Sequence, residues 1–382
     1  MKVLIAPNTF KESLNSIDVA HYISRGLRKS SKRFEIIELP LADGGTGTSR
    51  IITQALGGKF MTCKVTGPVA KDITATYGIA PRQGVAIIEL AEAAGLSLIP
   101  KQERDPLKTT TVGVGELILD ALDNQYRKVI LCIGDSSTID CGVGALSVFG
   151  IKFLNREGRS IDLNCLGLLD LYKIDTSQIK NRIKSTRITI ASDVRNILTG
   201  KNGALAYARQ KGAKPSDMIL IDKGLRKFRR IVLKQYQIDL DKIPGSGAAG
   251  GIGGAFVAML GSQIISGFGL IKELTYFEDA VRACDVVITG EGRVDKESFS
   301  GKTLERVLVL AGKYKKPVIL ICGHITADAK KLKKYEIQAK YTLAKSDRSL
   351  EKAINDAPKL LEQLAIKIGK ALIKQPINTD DR

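Results

Sequence analysis

Five times along this chain, an apolar run ends at a turn that mixes glycine, hydroxyl side chains and a carboxylate. The turns are "APNTFKESL" (6–14), "LADGGTGT" (41–48), "IGDSSTIDCGVG" (133–144), "SDVRNILTGKNGA" (192–204) and "TGEGRVDKESFSGKT" (289–303). Short unbroken apolar runs such as "KVLIAP", "DVVITG" and "PVILIC" suit strands covered on both faces, as in a parallel sheet flanked by helices. In such sheets ligands bind beyond the carboxyl ends of the strands. Glycine lets backbone N–H groups approach an anion there, and a helix N-terminus adds a favourable partial charge. The pattern predicts an α/β fold and places the candidate ligand contacts in these turns.

The rest of the chain fills in that scheme. After "KVLIAP", Ser13 or Asn15 is placed to cap a helix whose apolar positions Ile17, Ala20, Ile23 and Leu27 recur at helical spacing. "FEIIEL" reads as a second strand, and "ADGGTGTSRIITQALGG" as a glycine-rich turn feeding a helix that ends at Gly57-Gly58. The middle differs: "MTCKVTGP", "ITATYGIA" and "VAIIELA" alternate, which predicts a partly antiparallel meander. A helix in "GVGELILDALDN", the strand Val129 to Ile133, a helix from about 141 and the strand "RITIASDV" follow. Helices are expected over 202–212 and 215–236. In the last third, "DVVITG", "PVILIC" and "AKYTLA" read as strands, with helices over about 302–314 and 349–373. The chain has 382 residues, which suits two domains. The expectation is two α/β domains. Residues 1–66 plus 280–382 form a Rossmann-like domain built from both chain ends, and residues 67–279 form a second α/β domain inserted between them.

Composition narrows the function. The formal charge is +19, yet basic residues are spread out, with local density at 313–316 and 330–334 and no run of five. Charge in that form bears on solubility and small-anion attraction before it implies a nucleic-acid partner. Aromatics are 5% and Trp is absent, a poor basis for stacking single-stranded bases. Six cysteines include no CxxC pair and only two histidines exist, His21 and His324, so a zinc site is not expected. Cys132, Cys284 and Cys322 lie in or beside apolar strand runs, which points to free thiols in a reducing cytoplasm. "MKVLIAP" is too short for a signal-peptide core, and no 18-residue apolar stretch occurs, so no membrane partner is expected.

Several chemistries lack their motifs. There is no G-x-x-x-x-G-K-[ST] and no G-x-S-x-G. "GSGAAGGIGG" fits G-x-G-x-x-G at Gly245, Gly247 and Gly250, but "YQIDLDKIP" before it is no buried strand, so it reads better as a closely packed helix start or phosphate contact than as a dinucleotide fingerprint. "GEGRVD" with the following "GK" gathers Glu291, Arg293, Asp295 and Lys302, a set that suits a metal–phosphate site or a solvated charged loop. Lys11, in the loop after the first strand, is a point charge for a phosphate or carboxylate.

Taken in order, these stretches resemble the type 1 glycerate kinase family over nearly the whole chain. Members read like "APDSFKGSL", "ADGGEGT", "GGSATNDGGAG", "PGAGAAGGLG" and "VTGEGR.D.Q...GK", against "APNTFKESL", "ADGGTGT", "GDSSTIDCGVG", "PGSGAAGGIGG" and "ITGEGRVDKESFSGK" in this chain. "IELAEAAGL", "TTTVGVGELI" and "SDVRNILTGKNGA" match further family stretches. The resemblance implies phosphorylation of a hydroxyl of glycerate by ATP with Mg²⁺, with 2-phosphoglycerate ahead of 3-phosphoglycerate as product. Its alternatives are a same-fold kinase for another small hydroxy acid and a catalytically silent binding relative. The implied partners are glycerate and ATP, with a homodimer left open.

Phosphoryl transfer needs a held γ-phosphoryl, charge neutralisation and an oriented hydroxyl. On that basis Asp193 is the candidate base, with Lys11 and Arg293 for carboxylate or phosphates. Asp43, Ser136, Thr138 and Asn196 are candidate substrate contacts. Gly250, Gly251, Glu291 and Lys302 are candidate nucleotide contacts, and Asp43 and Glu291 candidate Mg²⁺ ligands. The chain departs from the family pattern at Asn8 (usually Asp), Glu12 (Gly) and Thr46 (Glu). It departs again at Asp135, Ile139 and Cys141 (Gly, Asn and Gly) and at Ser192 and Ile197 (Cys and Pro).

Overall fold

Runs of β-branched and other apolar residues that end at glycine or proline become the strands of this protein. The structure, a computed structural model, describes residues 1–10, 13–295, 297–299, 301–326, 332, 334–344 and 350–374. In chain order the strands are β1 (Lys2–Pro7), β2 (Glu35–Glu38), β3 (Lys59–Thr66), β4 (Asp72–Ala80), β5 (Val85–Glu89), β6 (Lys128–Cys132), β7 (Lys152–Leu154), β8 (Lys173–Asp175), β9 (Arg187–Ala191), β10 (Gln263–Ile265), β11 (Val286–Gly290), β12 (Arg293–Val294), β13 (Val318–Cys322), β14 (His324–Ile325) and β15 (Ile337–Thr342). They are divided between two compact units. One is Met1–Asp43 together with the residues from Phe268 onward, and the other is Gly44–Gly267.

The first unit holds a wholly parallel sheet in the order β15-β13-β11-β1-β2. Within this unit that is the 2-1-3-4-5 order of doubly wound folds, whose switch point lies between β1 and β11. Strands β1, β11 and β13 are buried on both faces, and two helices cover one of them. Val3, Ile5, Val286, Ile288, Ile319 and Ile321 pack with Val19, Ile23 and Leu27 of helix Ser16–Ser30, and with Leu361, Ala365 and Ile368 of helix Ala357–Lys374. Asn15 caps the first of these helices by accepting from the amide of Asp18 at 2.9 Å, as its position before the apolar period predicts. The two helices touch at Gly26, where a Cβ would lie 2.4 Å from the carbonyl oxygen of Glu362.

The second unit holds a mixed sheet in the order β10-β9-β6-β5-β4-β3. The β3–β4–β5 meander is antiparallel, and β5, β6, β9 and β10 run parallel. Ile88, Leu131 and Ile190 share its core with Leu117 and Ile118 of helix Val112–Asp123 and with Phe149, Phe228 and Phe256. Burying each such side chain contributes about 1.5–3 kcal/mol relative to leaving it in water.

The units divide earlier in the chain than the boundaries expected near 66 and 280. Strand β3 belongs to the second sheet because all eight of its residues pair with β4, so residues 44–66 go with the inserted unit. Residues 268–279 go with the first. The helix expected over 202–212 is instead two short 3₁₀ turns, Ala204–Tyr207 and Arg209–Lys211. Gly212, at φ +102°, stops the second against the carbonyl of Arg104, which a Cβ would approach to 2.2 Å. The last helix is two, Leu350–Asn355 and Ala357–Lys374, because Pro358 lacks the N–H that would join them. Among the described residues no helix is long and apolar enough to cross a membrane.

Candidate functional site

In the first unit, three of the singled-out turns leave adjacent strands at the sheet's switch point. β1 ends at Pro7, β11 at Gly290, and the chain after β2 returns alongside β1, where the amide of Leu41 donates to Pro7 O at 2.9 Å. The amide of Asn8 donates to Gly290 O at 2.8 Å, and that of Gly292 to Thr9 O at 3.3 Å. The next strand's exit is tied in as well, since the His324 amide donates to Gly292 O at 2.9 Å. Gly323 permits this, because a Cβ there would lie 2.3 Å from Gly292 O.

Five ionisable residues gather at these exits. Burial pushes the Glu291 carboxyl above the usual carboxylate range; Asp295 and Asp43 push it the same way, while Ser298 and Lys302 oppose them. Glu291 Oε1 is buried with no hydrogen-bond partner among the described residues. A carboxylate oxygen in that state is open to a cation. Asp295 is held by a reciprocal pair of bonds, its amide donating to Ser298 Oγ (3.1 Å) and the Ser298 amide to its Oδ1 (3.3 Å). Arg293 is exposed, 3.8 Å from Asp295 Oδ2. Lys302 stands directly before helix Thr303–Lys313. Among the described residues no group of three or more His, Cys, Asp or Glu is placed to hold a metal alone. Magnesium is usually held by one or two carboxylates together with phosphate oxygens and water, so Glu291 and Asp43 fit it in that mode.

In the second unit, the carboxyl ends of β5, β6, β9 and β10 carry the other turns. The "DGG" segment lies against two of them: the Gly134 amide donates to Gly44 O at 2.9 Å, and a Cβ on Gly44, at φ +92°, would lie 2.6 Å from Ala191 O. Glu89, at the end of β5 and 3% exposed, accepts from the Ser49 amide at 2.7 Å and so caps helix Thr48–Ala55. Burial raises the pKa of that carboxyl. Beyond β9, Asp193 Oδ1 accepts from Ser266 Oγ at 2.6 Å, one residue past the end of β10. Asn196 spends its amide inside its own loop, donating to Asn202 O (2.6 Å) and accepting from Tyr207 Oη (2.9 Å).

The loop after β6 is clamped from three sides. Asp140, fully buried, accepts from Thr111 Oγ1 (2.6 Å) and from the amides of Thr111, Gly142 and Gly144; burial raises its pKa and these bonds oppose the rise. Gly250, at φ +71°, backs onto it, where a Cβ would lie 2.1 Å from Thr138 O. The Cys141 amide donates to Gly250 O at 3.0 Å. The third clamp is Lys211, 4% exposed, whose Nζ donates to Ser136 Oγ and to Thr138 O, both at 2.7 Å. Burial brings that amine down to about 7, with Asp140 acting in the opposite sense.

Asp43, Glu291, Arg293 and Lys302 thus lie in the first unit, and Ser136, Thr138, Asp193, Asn196, Gly250 and Gly251 in the second. Lys11 lies outside the described residues. Gly250 and Gly251 are buried against the loop that holds Thr138 and Cys141. Glu89 and Lys211 were not singled out from the sequence. Glu89 sits inside "IELAEAAGL", where it reads as one more strand-end acid. Lys211 follows no apolar strand run and is one of many lysines; its burial is a tertiary fact.

Residues 3–373 match the model of the glycerate kinase family. A protein of Halalkalibacterium halodurans named glycerate kinase is 37% identical over 96% of this chain and 97% of its own length. The glycerate 2-kinase of Escherichia coli K12 is 38% identical over 94% of each. Among solved structures, that of a "putative glycerate kinase 2 from Salmonella typhimurium LT2" superposes with a TM-score of 0.82 at 36% identity, over 98% of both chains.

Proposed function

The chain belongs to the glycerate kinase family, and from that premise we propose that it transfers the γ-phosphoryl group of ATP to a hydroxyl of glycerate. The observation that carries this reading is the full-length match to relatives named for that activity. We place the chain in the type 1 branch on its collinear turns, from "APNTFKESL" to "ITGEGRVDKESFSGK". The 2-hydroxyl is the proposed acceptor, in keeping with the relative named glycerate 2-kinase.

The residue roles follow the chemistry of strand exits. Glu291, with its unpartnered buried oxygen, and Asp43 would hold Mg²⁺, which would supply neutralisation of phosphate charge. Lys302, beside a helix N-terminus, serves the phosphates. Asp193 takes the proton of the acceptor hydroxyl; Ser266 orients its carboxylate through Oδ1. Ser136 and Thr138 contact the substrate carboxylate from the loop after β6, and Arg293 and Lys11 serve carboxylate or phosphate as cations. Both partners are small molecules, and the six free thiols suit a reducing cytoplasm.

The test is an ADP-release assay with Mg-ATP against glycerate, tartronate, lactate and aldonates, with the product identified by phosphorus NMR. Turnover of glycerate to the 2-phosphate is expected. A folded protein that turns over none of the panel, or that yields the 3-phosphate, overturns the corresponding part of the reading.

A further inference from the structure

Lys211 is unusual in this molecule: a cation almost wholly withdrawn from water whose two hydrogen bonds both go to neutral oxygens of one loop, Ser136 Oγ and Thr138 O. Burying an ammonium is costly, and its neutralisation is the usual relief. The two protonation states leave Ser136 in opposite conditions. An ammonium can only donate, so it occupies a lone pair of Ser136 Oγ and leaves the serine O–H to donate elsewhere. A neutral amine keeps two N–H bonds, enough for Thr138 O, and gains a lone pair that accepts the Ser136 O–H. Serine then offers only lone pairs to whatever approaches.

We propose that Lys211 is a positioning residue that sets the hydrogen-bonding polarity of Ser136, making it a donor to an anionic substrate when the lysine is charged and an acceptor that repels one when it is neutral. The inference rests on the proposed placement of the glycerate carboxylate at the loop after β6. The amine's lowered pKa puts the switch near neutrality. Several ionisable groups lie around it. Asp140 favours the charged form, and burial holds the Cys141 and Cys165 thiols well above their ordinary values, so they stay neutral to pH 9. Arg104, packed on Gly212, has its guanidinium on the carbonyls of Ile99 and Leu96, and Arg209 lies on the same turn as Lys211.

The experiment measures kcat and KM for glycerate and for ATP with the full-length enzyme from pH 6 to 9. Glycerate KM is expected to rise about tenfold (about 1.4 kcal/mol) across the series, the scale of one hydrogen bond to a charged group. The KM for ATP should stay flat. Ser136→Ala, a small change that keeps the loop's backbone, should raise glycerate KM at pH 6 and abolish its pH dependence. Lys211→Met, which has no amine lone pair to capture the Ser136 O–H, should abolish the pH dependence, and circular dichroism and melting curves establish that it is folded. If Ser136→Ala leaves glycerate KM unchanged at every pH, the carboxylate is not held at this loop and the underlying placement fails. If Ser136→Ala raises KM but retains the parental pH profile, or the parent shows no profile, the placement stands and the role given to Lys211 is overturned.

Discussion

Replacing Gly250 by alanine tests whether the turn at 245–254 is what shapes the loop carrying Ser136 and Thr138. Two penalties are visible. Gly250 has φ +71°, and an L-residue held there loses about 1–2 kcal/mol. Its new Cβ would also lie 2.1 Å from Thr138 O and 2.6 Å from Ile139 Cα. Both are backbone atoms, so the loop itself must retreat by more than 1 Å to reach ordinary contact, and forced packing of that kind costs about 1–3 kcal/mol. The sum is about 2–5 kcal/mol. Gly47 provides the matched control: its φ is +93°, but nothing lies within 4 Å of its Cβ, so Gly47→Ala meets the first penalty alone. A domain of this size loses about 2–4 °C of melting temperature per kcal/mol. Gly250→Ala should therefore melt about 4–20 °C lower than the parent, and Gly47→Ala only about 2–8 °C lower. The retreating carbonyl is also the one that Lys211 holds, so Gly250→Ala should raise glycerate KM as well. Calorimetry on both variants and steady-state kinetics read the two effects. Equal melting points for the two variants would refute the steric reasoning, because conformational strain alone would then account for both.

Asp193→Asn keeps the shape and removes the proton acceptor; kcat should fall by about 100-fold or more with little change in the KM for ATP, and a parental rate rules out the base. Glu291→Gln removes a carboxylate whose pKa burial has raised. The folded state binds that proton more tightly than the unfolded chain, so the parent loses stability as pH rises from the ordinary carboxylate value through the raised one. The variant should melt at or above the parent at pH 8, with the gap shrinking at pH 5, while its Mg²⁺ requirement in the kinase assay rises; a variant that melts lower at pH 8 contradicts the sign. The Thr46–Asp135 contact, in which the Thr46 amide and Oγ1 both donate to Asp135 Oδ2 at 3.0 and 2.8 Å, is exposed to water. A double-mutant cycle with Thr46→Val and Asp135→Ala should give a coupling of about 0.5–1 kcal/mol in denaturant melts, and zero coupling would show that the contact is not made in solution.

What the sequence revealed, it revealed through periodicity and punctuation. Parallel strands were readable because burial on both faces demands unbroken apolar runs such as "VVITG" and "VILIC", and their exits because glycine and proline stop them. The Asn15 cap was readable for the same local reason. The edge of the inserted unit was not: β3 alternates as a one-sided strand does, but which sheet it joins is decided by its eight cross-strand pairs with β4. Residues 202–212 carry enough alanine and lysine to suggest a helix. Gly203 and Gly212, each pressed against a carbonyl, cut it into 3₁₀ turns instead. The site divides along the same line. Strand-end residues such as Asp193 and Glu291 stand out in the sequence because topology puts ligands beyond strand ends. Lys211 escaped because nothing in its neighbourhood of sequence says that its ammonium is buried against a loop some seventy residues away.

The departures from the family pattern become intelligible once that loop is seen. Two of them, Asp135 and Cys141, stand where the family has glycine, and both adopt left-handed backbone here, at φ +57° and +52°. The local geometry that called for glycine has been kept, at about 1–2 kcal/mol for each side chain now carried there. Aspartate is among the residues that bear such a conformation best, and here its carboxylate receives two bonds from Thr46. Thr46 is itself a departure, standing where the family has glutamate. A carboxylate given up at position 46 has its counterpart across a hydrogen bond at position 135, so this corner of the second unit keeps one acidic side chain. Ile139 is likewise fully buried in the unit's core, and Cys141 contacts Gly251 through Sγ. Substitutions that exchange charge between touching partners, or fill an interior, preserve the architecture of a site. The changes in this loop therefore leave in place the backbone that carries Ser136 and Thr138.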